Sequence, residues 1–295
     1  MIRTFRVILP CFLTLTACAQ DDLRTQLENT YGWWRTSITR KDVSTWQRVT
    51  APHRIAEIRN RMLSEKRAYP ASVFALPAPP PSLDGLQFLE ANAKGPTAKA
   101  SYFGKVDFGV GGAPTENLLV LSFVRGKSHW LYDRADFVNL SSLPQVRKEL
   151  AAGDLKYLRE TPEARPSGTV PRTPVEVGPA KYIAKVYVFC PGREVRMQVN
   201  KISHHRFANT KESEVVIGGA NDGINEVTYT VRKLDGEGAT GREAMTVRVY
   251  LMSEVPDVQP LKVFEYQVNE GDAVKTFGTG TFNVDAAILT KLSGK

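Results

Sequence analysis

Residues 161–179 read TPEARPSGTVPRTPVEVGP, with prolines at Pro162, Pro166, Pro171, Pro174 and Pro179. Proline fixes φ, lacks a backbone donor and restricts the residue before it, so neither a helix interior nor a central strand can run through this stretch. The chain must therefore fold on either side of it, and the stretch itself reads as an extended, semi-rigid linker. The two sides differ in texture: residues 18–160 mix helical and strand patterning, whereas residues 180–295 alternate as strands. A length of 295 residues suits two domains of ordinary size. With 42% apolar and 24% charged residues, the balance is that of a globular chain, which excludes wholesale disorder and a polytopic membrane protein.

On the first side, Leu23, Leu27, Tyr31, Trp34 and Ile38 recur at steps of three and four and predict a helix. Asp42 opens a short second helix through Trp46, where a carboxylate suits the positive helix end. Ile55, Ile58 and Met62 mark a third helix, entered through Pro52. The cluster Pro77-Ala78-Pro79-Pro80-Pro81 separates these helices from strand-like runs at 86–93, 98–108, 117–124 and 128–137. Arg125-Gly126-Lys127 joins the last two as a hairpin. Short helices follow within 145–158, near Pro144 and divided at Gly153.

This order of elements resembles the nuclear transport factor 2-like superfamily over residues 22–158. The resemblance rests on Tyr31, Trp34, Asp42 and Trp46 in the helices and on His129-Trp130-Leu131-Tyr132-Asp133 after the hairpin turn. It implies a cone-shaped α+β domain in which helices cover a curved antiparallel sheet. It also implies a pocket between helices and sheet, with Asp42, Trp46, Tyr69, Asp107, Trp130 and Tyr132 as its lining. Proton abstraction or dehydration there would need a desolvated carboxylate or histidine, and Asp42, Asp107, His129 and Asp133 are the candidates. The plainer readings are Asp42 as a helix cap, His129 at an exposed hairpin start and Asp133 as a polar strand-end residue. These positions match no catalytic pattern, and the structural readings are favoured.

On the second side, Ala184, Val186, Val188 and Cys190 share one strand face, and Val195, Met197 and Val199 repeat the pattern. Further runs lie at 214–217, 224–231, 244–251, 261–268 and 275–284. Seven short strands predict an all-β sandwich. The segment 218–229, GGANDGINEVTY, resembles the turn and following strand of bacterial immunoglobulin-like envelope modules. Cys190 reads as a buried, inert thiol. His204-His205 would point to opposite faces of a strand, so a solvated turn is expected there rather than a zinc site. The glycines at 109–112 and the run Phe277-Gly278-Thr279-Gly280 lack the lysine and helix of a phosphate cradle. Tyr187 and Tyr250 are candidate platforms for a glycan.

The first twenty residues, MIRTFRVILPCFLTLTACAQ, pair a basic start at Arg3 and Arg6 with an apolar run too short to span a bilayer. Leu15-Thr16-Ala17-Cys18 resembles the bacterial lipobox, which implies a signal peptide at 1–17 and acylation of Cys18. Two or more acyl chains would hold the protein on a membrane. Ala19 and Gln20 resemble the pattern sent to the outer membrane where two membranes exist. Loss of Arg3 and Arg6 takes the formal charge from +8 to +6. Cys11 would leave with the leader and Cys18 would carry lipid, so Cys190 has no disulfide partner. Basic residues such as Arg35, Arg40 and Arg48 are scattered over helical faces, which favours anionic headgroups or acidic envelope polymers over nucleic acid. The expectation is a lipid-anchored cell-envelope protein with a non-catalytic binding or scaffolding role toward a protein or envelope polymer. Homo-oligomerisation is compatible with this reading, and neither metal nor cofactor is expected. The alternatives are a small-molecule-binding or isomerase/dehydratase-type enzyme using the first domain's pocket, and a glycan-binding envelope module.

Overall fold

The computed structural model describes residues 13–107, 114–234 and 243–295, with side chains from Asp21 onward. Arg3, Arg6, Cys11, the side chain of Cys18 and the glycines at 109–112 lie outside the described residues. The backbone of Leu15, Thr16, Ala17 and Cys18 belongs to the first helix, α1 (Leu13–Arg40). No helix among the described residues is long and apolar enough to cross a membrane. The fold is mixed α+β, with antiparallel strands in three four-stranded sheets. The chain divides into two units, one comprising residues through Ala56 and Val73–Pro174, the other Glu57–Ser72 and Val175–Lys295.

The first unit holds α1, α2 (Val43–Val49) and the first turn of α3 (Pro52–Ser64). A meander follows, β1 (Gln87–Lys94), β2 (Thr97–Val106), β3 (Thr115–Arg125) and β4 (Trp130–Asn139), paired in that order. The helices α4 (Pro144–Ala151) and α5 (Lys156–Glu160) come next. Every residue of β3 from Leu118 to Val124 is buried, so both faces of the sheet must be covered. Because successive side chains alternate, Leu119, Leu121 and Phe123 pack with Tyr102 and with Leu27 and Tyr31 of α1. Leu118 and Val120 turn the other way, toward Leu150 and Leu158 of the late helices and Ala164.

Ala164 lies in the proline-rich stretch, and Gly168 donates its backbone N–H to Thr97 Oγ1 at 2.8 Å. The first half of the stretch is thus a strap laid on the sheet, and not a spacer standing in solvent. Proline denies this backbone a ladder of its own, but an extended segment can still lend single groups to a neighbour.

In the second unit, Asn60 of α3 donates to the Val175 carbonyl at 2.8 Å and accepts from Val177 N–H at 3.1 Å. Ser64 Oγ accepts the Gly218 N–H at 2.8 Å. The buried residues of α3 are His53, Ala56, Asn60, Met62 and Ser64, a more polar set than the Ile55, Ile58 and Met62 face read from hydropathy, of which only Met62 is buried. These bonds bring residues 57–72 into the second unit, although their sequence position places them with the first half.

The strands of this unit are β5 (Ala184–Phe189), β6 (Arg193–Val199), β7 (Ser203–Ala208), β8 (Lys211–Val215), β9 (Gly223–Lys233), β10 (Met245–Leu251), β11 (Leu261–Val268) and β12 (Phe277–Val284). A last helix, α6 (Ala286–Leu292), is capped by Asp285. The sheets run β11-β10-β5-β8 and β12-β9-β6-β7, and alternate residues of both form one apolar core. Cys190 is fully buried in that core, where burial pushes its thiol pKa up. Among the described residues eight strands replace the seven expected. The addition is β7, because the turn is made by Asn200 and Lys201 at φ 53° and 59° and not by the two histidines.

The glycines of β12 are explained by close packing. A Cβ on Gly278 would sit 2.3 Å from Tyr229 Cζ, and the Tyr229 ring is itself stacked on Tyr266 at 4.6 Å. Gly278→Ala should therefore overpack the core and cost about 1–3 kcal/mol. Denaturant unfolding should show this loss, while Thr279→Ala on the exposed face of the same strand should leave the midpoint nearly unchanged.

Candidate functional site

The structure does not gather the six expected pocket residues around one cavity. Asp42 is the exposed N-cap of α2, accepting from Thr45 N–H at 3.0 Å and Ser44 Oγ at 2.9 Å. These hydrogen bonds, chiefly from Thr45, hold its carboxyl down to about 2. Trp46 is fully buried, edge-on to Phe74 at 6.0 Å. Asp107 is exposed just beyond β2. In the register of β2 and β3 it lies at the end where Val106 meets Thr115, while Trp130 lies beside Arg125 at the other end. Nine residues of strand separate these ends by about 30 Å. Tyr69 is half-buried and belongs to the second unit. His129 is half-buried and bonds to Ser128 Oγ and the Arg48 carbonyl.

Trp130 and Tyr132 do meet, inside the helix-facing core of the first unit. The Tyr132 ring lies 4.1 Å from Trp34 and 5.6 Å from Tyr31. Tyr31 stacks on Trp34 at 5.7 Å and donates its hydroxyl to the Pro81 carbonyl at 2.8 Å. Tyr102 donates to Glu28 Oε1 at 3.0 Å, and Arg24 donates to the same oxygen at 2.8 Å. Packed rings thus occupy the place expected for the pocket. Their burial raises the Tyr31 phenol to about 12 and pushes up those of Tyr102 and Tyr132 as well.

A cavity of about 190 Å³ lies instead on the opposite face of the sheet, between β2, β3, β4 and the proline-rich strap. Lys99 and Ser122 are direct cross-strand partners in its floor. Lys99 donates to the Glu163 carbonyl of the strap and lies 3.8 Å from Asp136. Burial, set against the Asp136 charge, leaves its ammonium pKa lowered. The Ser122 hydroxyl is buried with no hydrogen-bond partner among the described residues. A cavity with an unsatisfied hydroxyl and a partly desolvated ammonium can hold a small polar ligand that accepts hydrogen bonds.

At the wall of this cavity the sheet register slips between Ser122 and Phe123, so Asp133 stands as an extra residue in β4. Its carboxylate is 2.9 Å from Nε2 of His53, which is almost fully buried. Ala51 N–H bonds to the Tyr132 carbonyl at 2.8 Å and thereby delivers the start of α3 to this point. His53 escaped the sequence reading. Its only signal is its place on the polar stripe that continues through Ala56, Asn60 and Ser64.

The second unit contains a hydroxyl–imidazole–carboxylate relay. Ser203 Oγ is 2.7 Å from His205 Nε2, and His205 Nδ1 is 2.7 Å from Glu214 Oε2. The order is that of a serine hydrolase, but Ser203 is fully buried and its Oγ accepts the Ile217 N–H at 2.8 Å. The Glu214 carboxylate only accepts, so Nδ1 carries the proton of the neutral imidazole and Nε2 accepts the serine proton. The relay joins β7 of one sheet to β8 of the other. His204 points to the exposed face, opposite His205. Among the described residues no group of three or more His, Cys, Asp or Glu side chains is placed to hold a metal ion.

Two measurements follow from these environments. In the unfolded chain a tyrosine ionises near 10, whereas Tyr31, Tyr102 and Tyr132 hold their protons to higher pH. Their contribution to stability is therefore complete below pH about 10 and is lost as pH rises toward and beyond 12. Phenolate absorbance should show three of the ten tyrosines ionising only as the first unit unfolds; their ionisation near pH 10 with the fold retained would contradict the burial. Ser203→Ala should cost about 1–3 kcal/mol by stranding the Ile217 N–H and His205, read as a lower unfolding midpoint. Comparison of the chain with protein-family models, with curated proteins and with solved structures finds no match.

Proposed function

We propose that this chain is a lipid-anchored cell-envelope protein that works by binding, with its first unit a nuclear transport factor 2-like cone and its second an immunoglobulin-like β-sandwich. In this reading Cys18 carries the anchor, at the outer membrane where two membranes exist, and the partner is a protein or an envelope polymer. One observation carries the binding role. Of the groups named for acid–base work, Asp42 caps α2, Asp133 pairs with His53 and His129 bonds to Ser128 and the Arg48 carbonyl, whereas arginines with donors turned to solvent gather on an open sheet face of the second unit. The sandwich reading is supported by two antiparallel sheets that share one core.

A second reading, a small-molecule carrier or an isomerase/dehydratase-type enzyme, is favoured by the strap cavity and the orphan Ser122 hydroxyl. It places the ligand on the sheet face away from α1. A glycan role for Tyr187 and Tyr250 is supported by their register, since both flank Arg248 on the half-exposed face of β5 and β10.

Metabolic labelling with a palmitate analogue tests the anchor. Wild-type protein should take the label and fractionate with membranes. Cys18→Ala should lose both properties while keeping its folded circular dichroism. Unlabelled wild-type protein recovered free in solution with residues 1–17 still attached would refute the proposal.

A further inference from the structure

Glu194 lies on β6 with its side chain only 3% exposed, although it faces outward from the apolar core. Three arginines cover it. Arg196 donates Nε to one carboxylate oxygen at 2.8 Å, and Arg206 donates Nε to the other at 2.8 Å and Nη2 at 2.6 Å. Arg232 Nη2 stands 3.5 Å from that second oxygen. The strand register dictates the cluster: Arg196 is paired with Arg206 on β7, and Glu194 is paired with Arg232 on β9. Like charges directly opposite one another repel. One carboxylate under three guanidinium groups leaves an excess of two positive charges, and the arginine side chains remain 63–67% exposed. A guanidinium has five donors in a planar fork, so each arginine fixed by one edge on Glu194 still presents donors outward.

The same face is a shallow depression. Gln198 and Thr228, a register pair, line it next to the arginines. Thr230 and Phe277, another pair, close one end, with Phe277 62% exposed. We infer that this face of β12-β9-β6-β7 binds a linear anionic polysaccharide, its carboxylate or phosphate groups on Arg196, Arg206 and Arg232 and a sugar ring against Phe277. The inference deepens the proposed binding role. Charge complementarity selects an anion, and fixed guanidinium forks suit planar or tetrahedral oxyanions. The depression and its amide and hydroxyl groups favour a hydroxyl-bearing chain over a bilayer.

The test uses the detergent-solubilised full-length protein and three probes: polygalacturonate, dextran of similar length, and vesicles of phosphatidylglycerol with phosphatidylcholine. Polygalacturonate should bind and weaken as salt rises, dextran should not bind, and the vesicles should bind no better in wild type than in R196Q/R206Q. The double variant should lose about tenfold or more in affinity, whereas K262Q/K291Q, which removes equal charge elsewhere, should not. Should R196Q/R206Q unfold because Glu194 is left buried alone, Phe277→Ala keeps every charge and should still weaken polygalacturonate binding. Equal loss in K262Q/K291Q, preference for the vesicles, or no binding of polygalacturonate would each overturn the inference. Membrane fractionation of R196Q/R206Q through Cys18 would remain as in wild type, so failure of this site is distinguishable from failure of the anchored-protein reading.

Discussion

A strand that buries every side chain from Leu118 to Val124 sets the terms for the first unit. Such a strand must have its sheet covered on both faces, and the chain answers with two different covers. One is α1, whose Leu27 and Tyr31 pack onto Leu119, Leu121 and Phe123. The other is assembled from α4, α5 and the proline-rich strap, against Leu118 and Val120. The two interiors differ in consequence. The α1 side closes with interlocking aromatic rings. The strap side covers its apolar end but leaves the polar end, around Lys99 and Ser122, enclosing space. Proline explains why: a segment that cannot form a ladder touches the sheet at separate points and leaves gaps between them.

The second unit divides its polar groups differently. Alternation sends one set of side chains inward to a single apolar core and the other set outward. Inside, buried Ser203 and His205 are bonded to one another, and His205 reaches out to the exposed Glu214. Outside, Glu194 is the exception, a carboxylate almost fully covered by arginines. Within the interior it would be a costly charge, but under three guanidinium groups it organises positive charge. Hydrogen bonds from Arg206 first, and from Arg196, hold its pKa below the ordinary carboxylate range. The cluster stays ionised at neutral pH and its net positive charge persists.

Much of this was legible in the sequence because the relevant physics is local. The steps from Leu23 to Ile38 located α1, and Asp42 located its own cap. Gly126 marked the hairpin, whose N–H bonds to the His129 carbonyl at 2.9 Å. The alternations of β5 and β6 were plain from apolar residues at every second position. What escaped depends on partners distant in the chain. His53 looked like any polar helix residue until β4 brought Asp133 to it. β7 was hidden because Asn200 and Lys201 turn the chain without a glycine. A spacing of two residues puts Glu194 and Arg196 on one strand face, but the sequence alone did not single them out, and only the registers with β7 and β9 add Arg206 and Arg232. Composition showed that residues 161–179 are extended, and could not show what they lie on.

We infer that recognition lies on an open face of the second unit and not within the interior of the first. Arginine footprinting with phenylglyoxal, read by mass spectrometry on full-length protein with and without the native envelope polysaccharide fraction, tests this most directly. Protection concentrated at Arg196, Arg206 and Arg232 is the predicted result. Protection confined to Arg134 and Arg165 beside the strap cavity, with those three still fully reactive, would contradict the account.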